Sequence, residues 1–377
     1  MELLPEYQSA AFVSNGVLES SAIGLGQRFD HYDDFTSEEV HWPGTDPTFE
    51  RFAGATTDAV LDWLESSRDP QRPLLLWVHY MDPHGPYAPP DPWEGHFEHE
   101  GLRPVEPQRI KPYQRDATVK DALDYVDRYD EEIAYADAEI GRLLEGFAQV
   151  SELERAMIVL TADHGEVMME RRVWFRHRYH VFEEIIRVPL LIRGPGMSPG
   201  RRTTAVSVID LVPTILSHAG ERIPKDLPGR DLHAREAHVD RVLFAEATTE
   251  KGQWRAAIQG GAKFVEFFAI GEREPTRRAA FDLALDPEEQ RPVRGPQDHP
   301  VSEALRALGE RDPDPGGLPV SNPLPGRRLS GPKTAPGPDK RGRAMLRALG
   351  YLEDESPETL EDTPSGKSPV EPDPEAD

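Results

Sequence analysis

Apolar and polar positions divide this 377-residue chain into short continuous apolar runs, longer stretches with an apolar residue every three or four, and a C-terminal region with neither pattern. Two runs predict buried strands: AMIVLTADHG over residues 156–165 and LLLWVHY over residues 74–80, the second read as covered on both faces. AAFV at residues 10–13 is a further short strand, closed by the Ser-Asn-Gly turn that follows it. Residues 24–35 are polar and aromatic and read as a surface loop. Residues 55–66 form a helix, with Thr56 or Thr57 as N-cap and Ala59, Val60, Trp63 and Leu64 on one stripe. A helix leading into a buried strand begins a parallel α/β unit.

Residues 119–147 carry the strongest helical period, Ala122, Val126, Tyr129, Ile133, Ala136, Ile140, Leu144 and Phe147 recurring on one side. The other side holds Asp121, Asp124, Asp127, Asp130, Glu131, Asp137 and Glu139, and reads as a solvated helix face. The proline-rich stretch 82–115 between these elements is a long loop over a sheet end. Residues 188–192 give another strand, and Asp210 caps a helix over residues 211–219 that Gly220 closes. From residue 242 the pattern changes to short strands, with Gly260-Gly261 marking a hairpin. Beyond residue 292 prolines and glycines accumulate without a period. Residues 313–340 read as disordered linker, 341–352 as a short amphipathic island, and the remainder from residue 353 as a solvated tail.

Composition narrows the partners. Forty-three basic residues against 68 acidic give a net charge of -25, which opposes nucleic acid and anionic membrane surfaces. Cysteine is absent, so disulfides and Cys-bound zinc are excluded within this chain. No apolar run approaches the roughly 18 residues of a membrane span, and the N-terminal residues lack the basic and apolar regions of a signal peptide. The chain as given is expected to stay in the cytoplasm.

Candidate chemistry gathers at strand ends. Asp163 and His164 follow the strand at 156–165 and offer a carboxylate and an imidazole where open α/β sheets place ligands; the same Asp-His-Gly also makes an ordinary Asx turn. His84 stands in Asp-Pro-His-Gly-Pro-Tyr (82–87), stiffened by Pro83 and Pro86. His79, inside a strand, reads as a core histidine. Arg172, Arg176, His177, Arg178 and His180 form either a positive patch for a small anion or a surface loop balancing Glu183 and Glu184.

The ordered set AAFVSNGV, GLGQRFDHYDD, LLLWVHYMDPHGPYAPP, YDEEIAYADAEIGRLL, MIVLTADHGE, FEEIIRVPLLIRGPGM, VSVIDLVPTILSHAG and LRALGYL resembles the sulfatase family of the alkaline-phosphatase superfamily. The resemblance implies an α/β fold: an alkaline-phosphatase-like central mixed sheet sandwiched by helices, with a smaller C-terminal antiparallel subdomain and a disordered tail. The implied organisation is a catalytic domain over residues 1–235, a small subdomain over 236–292, and linker plus tail over 293–377. It also implies a sulfuric ester hydrolase acting on a small-molecule or glycan sulfate ester beside a divalent metal, calcium by preference. Asp163 and His164 would be metal ligands, His84 a donor to the sulfate oxygens, and His177 or Arg178 the cation that follows the Asp-His-Gly motif.

The family's paired aspartates and its C/S-x-P-x-R nucleophile motif occur nowhere in the chain. Asp33-Asp34 falls in a segment that follows the nucleophile in the family and is no substitute. The expectation is therefore an N-terminally truncated, inactive sulfatase. The alternatives are a non-catalytic anion- or partner-binding relative and a phospho-ester hydrolase or transferase of the same superfamily. Family members are often exported.

Overall fold

The computed structural model describes residues 2–20, 24–34, 38–40, 48–150, 153–172, 174–177, 179–234, 241–249, 251–295, 299 and 301–311. The linker, island and tail expected beyond residue 312 lie outside the described residues. The chain forms two compact units, the first comprising the described residues up to Leu153 with Trp174 and Phe175, the second the rest. That line differs from the one drawn at residue 235 from the sequence.

In the first unit, β1 (Gln8–Val13) is the middle of a three-stranded parallel sheet between β2 (His31–Asp33) and β5 (Leu74–His79). β3 (Glu38–Val40) and β4 (Thr48–Glu50) make a separate antiparallel pair. The polar stretch expected as surface loop thus contains β2, tied in by Ser9 N–H donating to Asp30 Oδ2 at 2.9 Å. β1 is buried from Ser9 onward, whereas all six residues of β5 are only half-buried. The expectation of a strand covered on both faces therefore belongs to β1; among the described residues β5 is an edge of this sheet. α1 (Ala53–Ser66) and α2 (Leu123–Val150) pack on the sheet through Ala10, Phe12, Val60, Trp63, Leu64 and Leu143.

α1 starts before the expected cap. Thr56 and Thr57 are buried within it, and the acceptor at its N-terminus is the Asp82 carboxylate, which takes the Ala53 N–H at 3.0 Å. Part of the acidic side of α2 is also not solvated. Glu131 and Glu132 are buried and accept the backbone N–H groups of Phe97 and Ala88, while Asp121 accepts that of Arg103. These carboxylates hold the long loop 82–115, whose backbone has no ladder of its own to satisfy it.

In the second unit, β6 (Ile158–Thr161) pairs antiparallel with β9 (Leu190–Arg193). Between them in sequence come β7 (Val167–Met168), β8 (Trp174–Arg176) and α3 (Glu183–Ile186). β6 is shorter and more exposed than the run 156–165 predicted. α4 (Leu211–His218) follows a capping box between Ser207 and Asp210. Asp210 is fully buried and also accepts Arg230 N–H and the Arg241 guanidinium.

β10 (Leu243–Thr249), β11 (Gly252–Gln259), β12 (Ala262–Ala269) and β13 (Arg277–Asp282) form the expected antiparallel sheet in sequential order. Gly260 and Gly261, at φ 58° and 85°, make its tight turn. α5 (Ser302–Arg311), in a region read as aperiodic, covers one face through Val301 and Leu305 against Ala257, Phe264 and Ala280. The other face packs on Val181 and Phe182. Among the described residues no helix is long and apolar enough to cross a membrane.

Candidate functional site

In the second unit the Asp-His-Gly turn begins two residues past the end of β6. Gly165 N–H donates to Ile185 O at 2.7 Å, and a Cβ on Gly165 would fall 2.3 Å from Glu184 O, so only glycine lets the turn lie this close to α3. Asp163 Oδ1 accepts the His164 N–H at 2.9 Å, and its side chain is 77% exposed. His164 Nδ1 lies 2.9 Å from Gly165 O, and Nε2 lies 3.6 Å from Asp163 Oδ2.

His177 stacks on His164, ring centroids 4.7 Å apart and planes 17° apart. Its Nδ1 is 3.2 Å from Glu166 Oε2, and both side chains are buried. Burial pushes the Glu166 carboxyl up to about 8, against the pull of His164 and Arg176. The turn therefore brings together Asp163, His164 and His177, and adds Glu166, which the sequence reading passed over. Its signal was an acidic residue directly after Asp-His-Gly.

Two lone-pair donors do not make a calcium site, which takes roughly six to eight oxygens. Among the described residues no group of three or more His, Asp or Glu side chains converges to hold a metal. Asp163 and His164 alone do not complete a calcium site. The Asp33 and Asp34 carboxylates are engaged elsewhere, with the Arg51 guanidinium at 2.5 Å and the Ser20 N–H at 2.7 Å.

The proposed positive patch is not assembled as expected. His177 and His180 are buried rather than presented to solvent. Burial, with Arg171 and Lys263 nearby, brings the His180 pKa down to about 3, so the ring is neutral. The Arg176 guanidinium sits 5.0 Å over the Tyr179 ring. Arg178 lies outside the described residues.

Behind the turn is a buried ionic cluster. Lys263 Nζ is 3.0 Å from Glu183 Oε1 and 2.8 Å from Glu289 Oε1. Arg171 Nε is 2.7 Å from Glu184 Oε1, and its guanidinium donates to the carbonyls of Glu288 and Glu289. The guanidinium also lies 3.7 Å over the Phe182 ring. Glu184 is thus fixed at its side chain while its carbonyl abuts Gly165.

In the first unit His84 is buried and stacks on Tyr113, centroids 6.4 Å apart and planes 14° apart. His79 Nδ1 accepts the Ser14 N–H at 3.5 Å, a structural contact. Asp82, which leads into His84, has its carboxyl pushed up to about 7, chiefly by burial, with the Ala53 N–H opposing and Glu139 adding to the rise. A raised carboxyl stabilises the fold fully below its unfolded value near 3.8, and that stabilisation is lost as pH climbs toward 7. Asp82→Asn keeps an acceptor for Ala53 and removes the titration. The expected result is a flatter stability profile from pH 4 to 7, with the variant gaining about 1–2 kcal/mol on the native protein across that range, discounted for partial exposure. Urea unfolding at stepped pH reads it directly; parallel profiles would show that Asp82 does not titrate between the two states.

The architecture is shared with solved structures of other proteins. A protein solved in complex with its substrate D-glucosamine-2-N,6-O-disulfate superposes with a TM-score of 0.60 at 20% identity, over 83% of this chain and 81% of that one. A phosphonate monoester hydrolase from Silicibacter pomeroyi gives 0.59 at 18% identity, over 81% and 76%. At these identities the likeness is one of fold. Residues 7–221 match the sulfatase family model, and the chain belongs to the sulfatase family. It is 30% identical over 270 residues to a choline-sulfatase of Rhizobium meliloti strain 1021, covering 65% of this chain and 51% of that protein. To arylsulfatase K of Xenopus laevis it is 28% identical over 187 residues, 46% of this chain and 34% of that one. The chain spans about half or less of the length of these relatives.

Proposed function

We propose that this chain carries part of the active site of a metal-dependent sulfuric ester hydrolase. The observation that carries the reading is the turn after β6, in a chain of the sulfatase family, where Asp163, His164 and His177 converge. In this reading Asp163 and His164 are two of the metal ligands, and His84, His177 and Arg178 act on the sulfate group of a small-molecule or glycan ester. Positive or proton-donating groups there would offset charge on the sulfate oxygens as the ester bond breaks. The nucleophile and the remaining ligands come from a segment outside these 377 residues. β5 supports this: LLLWVH has the composition of an interior strand, and among the described residues β5 pairs with β1 alone.

The test compares the 377-residue chain with a version extended by a segment carrying paired aspartates and C/S-x-P-x-R, each given an aryl sulfate and calcium. The shorter chain is expected to show no turnover, and the extended one turnover that Asp163→Ala lowers by at least a hundredfold. Hydrolysis by the shorter chain that Asp163→Ala abolishes would overturn the claim that its site is incomplete. No hydrolysis by an extended chain whose nucleophile is verified by mass spectrometry would overturn the hydrolase reading.

A further inference from the structure

The first unit holds a small cavity that the reading above does not use. It has room for the centre of one water-sized group, about 10 Å³, and Gln114 lines it together with Tyr125, Asp116 and Arg128. Gln114 is 1% exposed, and neither Nε2 nor Oε1 has a hydrogen-bond partner among the described residues. Leaving a buried donor and a buried acceptor unmade costs about 1–3 kcal/mol each, so the position is expensive to keep for packing alone. Leucine would fill the same volume without that cost.

The polar groups of Arg115, Asp116, Tyr125 and Arg128 around the cavity have partners of their own. Arg128 Nη1 bonds Asp116 Oδ2 at 2.9 Å, Tyr125 Oη accepts the Asp116 N–H at 2.8 Å, and Arg115 Nε donates to Ile110 O at 2.8 Å. Arg128 and Asp116 pair with each other, Arg115 Nε is spent on a backbone carbonyl, and the unmet demand on Gln114 is that of a neutral amide. One atom can satisfy both ends of such an amide only if it accepts from Nε2 and donates to Oε1, which a hydroxyl does. A carboxylate would set an acceptor against Oε1, and an ammonium a donor against Nε2.

The cavity also lies close to His84, in the same unit. The Gln114 amide lies flush on the backbone of Gly85, where a Cβ would fall 1.8 Å from Oε1. The neighbouring residues of the two segments, His84 and Tyr113, stack on each other. We propose that Gln114 is a specificity-determining residue that binds one hydroxyl of a polyhydroxylated alcohol, presented beside His84. That this hydroxyl belongs to the alcohol part of an ester rests on the hydrolase reading; binding itself does not, and the test below needs no turnover.

The experiment titrates the 377-residue chain with methyl α-D-glucopyranoside by ligand-observed NMR, with methoxycyclohexane as the hydroxyl-free control, and repeats it with Gln114→Leu. The expected result is saturable binding of the glucoside alone, weakened at least tenfold by the substitution, in a variant that melts no lower than the native protein. Gln114→Glu keeps the side-chain shape and serves if the apolar variant does not fold; it is expected to lose at least threefold. No saturable binding to the native chain, or equal affinity in native and variant chains, would overturn the proposal. So would a variant that melts several degrees lower with its affinity intact, since the amide would then be serving the fold through an enclosed water.

Discussion

Lys263→Met is expected to destabilise the second unit by about 3–5 kcal/mol, the cost of breaking a buried ion pair by removing one partner. The ammonium is fully buried between Glu183 and Glu289, and the Glu289 side chain is itself fully buried. Burial already pushes the Glu289 carboxyl up, with Lys263 the principal opposing influence. Without it, both carboxylates stay ionised in a dry setting or take up protons. Pairing Lys263→Met with Glu289→Gln is expected to restore more than half of the loss, because no uncompensated charge then remains at that corner. Urea unfolding of the single and double variants measures the coupling. A single-variant loss below about 1 kcal/mol would show that water reaches the cluster.

Gly165→Ala is expected to cost about 2–3 kcal/mol and to disturb the histidine pair. The added methyl meets only backbone, Glu184 O at 2.3 Å and its carbonyl carbon at 3.2 Å, so no side-chain rotation relieves the clash. The turn and α3 must part, lengthening the 2.7 Å bond from Gly165 to Ile185 and moving His164 from the face of His177. Gly141→Ala is the control: it lies within α2, a Cβ there meets nothing within 4 Å, and the change is expected to stabilise by about 0.5–1 kcal/mol. The imidazole resonances of His164 and His177 should shift in the first variant and hold in the second. Unchanged resonances in Gly165→Ala would mean that the stacking does not depend on this close approach.

Much of the fold was legible because its signals are local. The stripe of Val60, Trp63 and Leu64 defines α1, the long period defines α2, and Gly260-Gly261 with alternating strands defines the C-terminal sheet. Asp163 and His164 were legible for the same reason, being adjacent at the end of an apolar run. What escaped was set by tertiary partners. Apolar content alone does not tell an edge strand from a middle one, so β5 read as covered when β1 is. Glu131 and Glu132 sit in a helix rich in acids, and their burial is decided by loop N–H groups more than thirty residues away. The cap of α1 comes from Asp82, twenty-nine residues beyond Ala53. His180 and Lys263 look like surface cations until the acids around them are in place. α5 left a detectable trace in Val301, Ala304 and Leu305, at helical spacing but short and flanked by breakers.

The return of Trp174 and Phe175 to the first unit bears on modularity. Phe175, at φ 50°, stacks on Tyr125 with centroids 4.7 Å apart and meets Tyr87 edge-on at 6.2 Å. Trp174 lies beneath the guanidinium groups of Arg103 and Arg109. A fragment cut at residue 153 would leave these two rings behind, uncovering Tyr125, Tyr87 and two arginines at once. The units are compact without being separable by a single cut, so a first-unit expression clone needs residues 174–175 grafted back or the full chain.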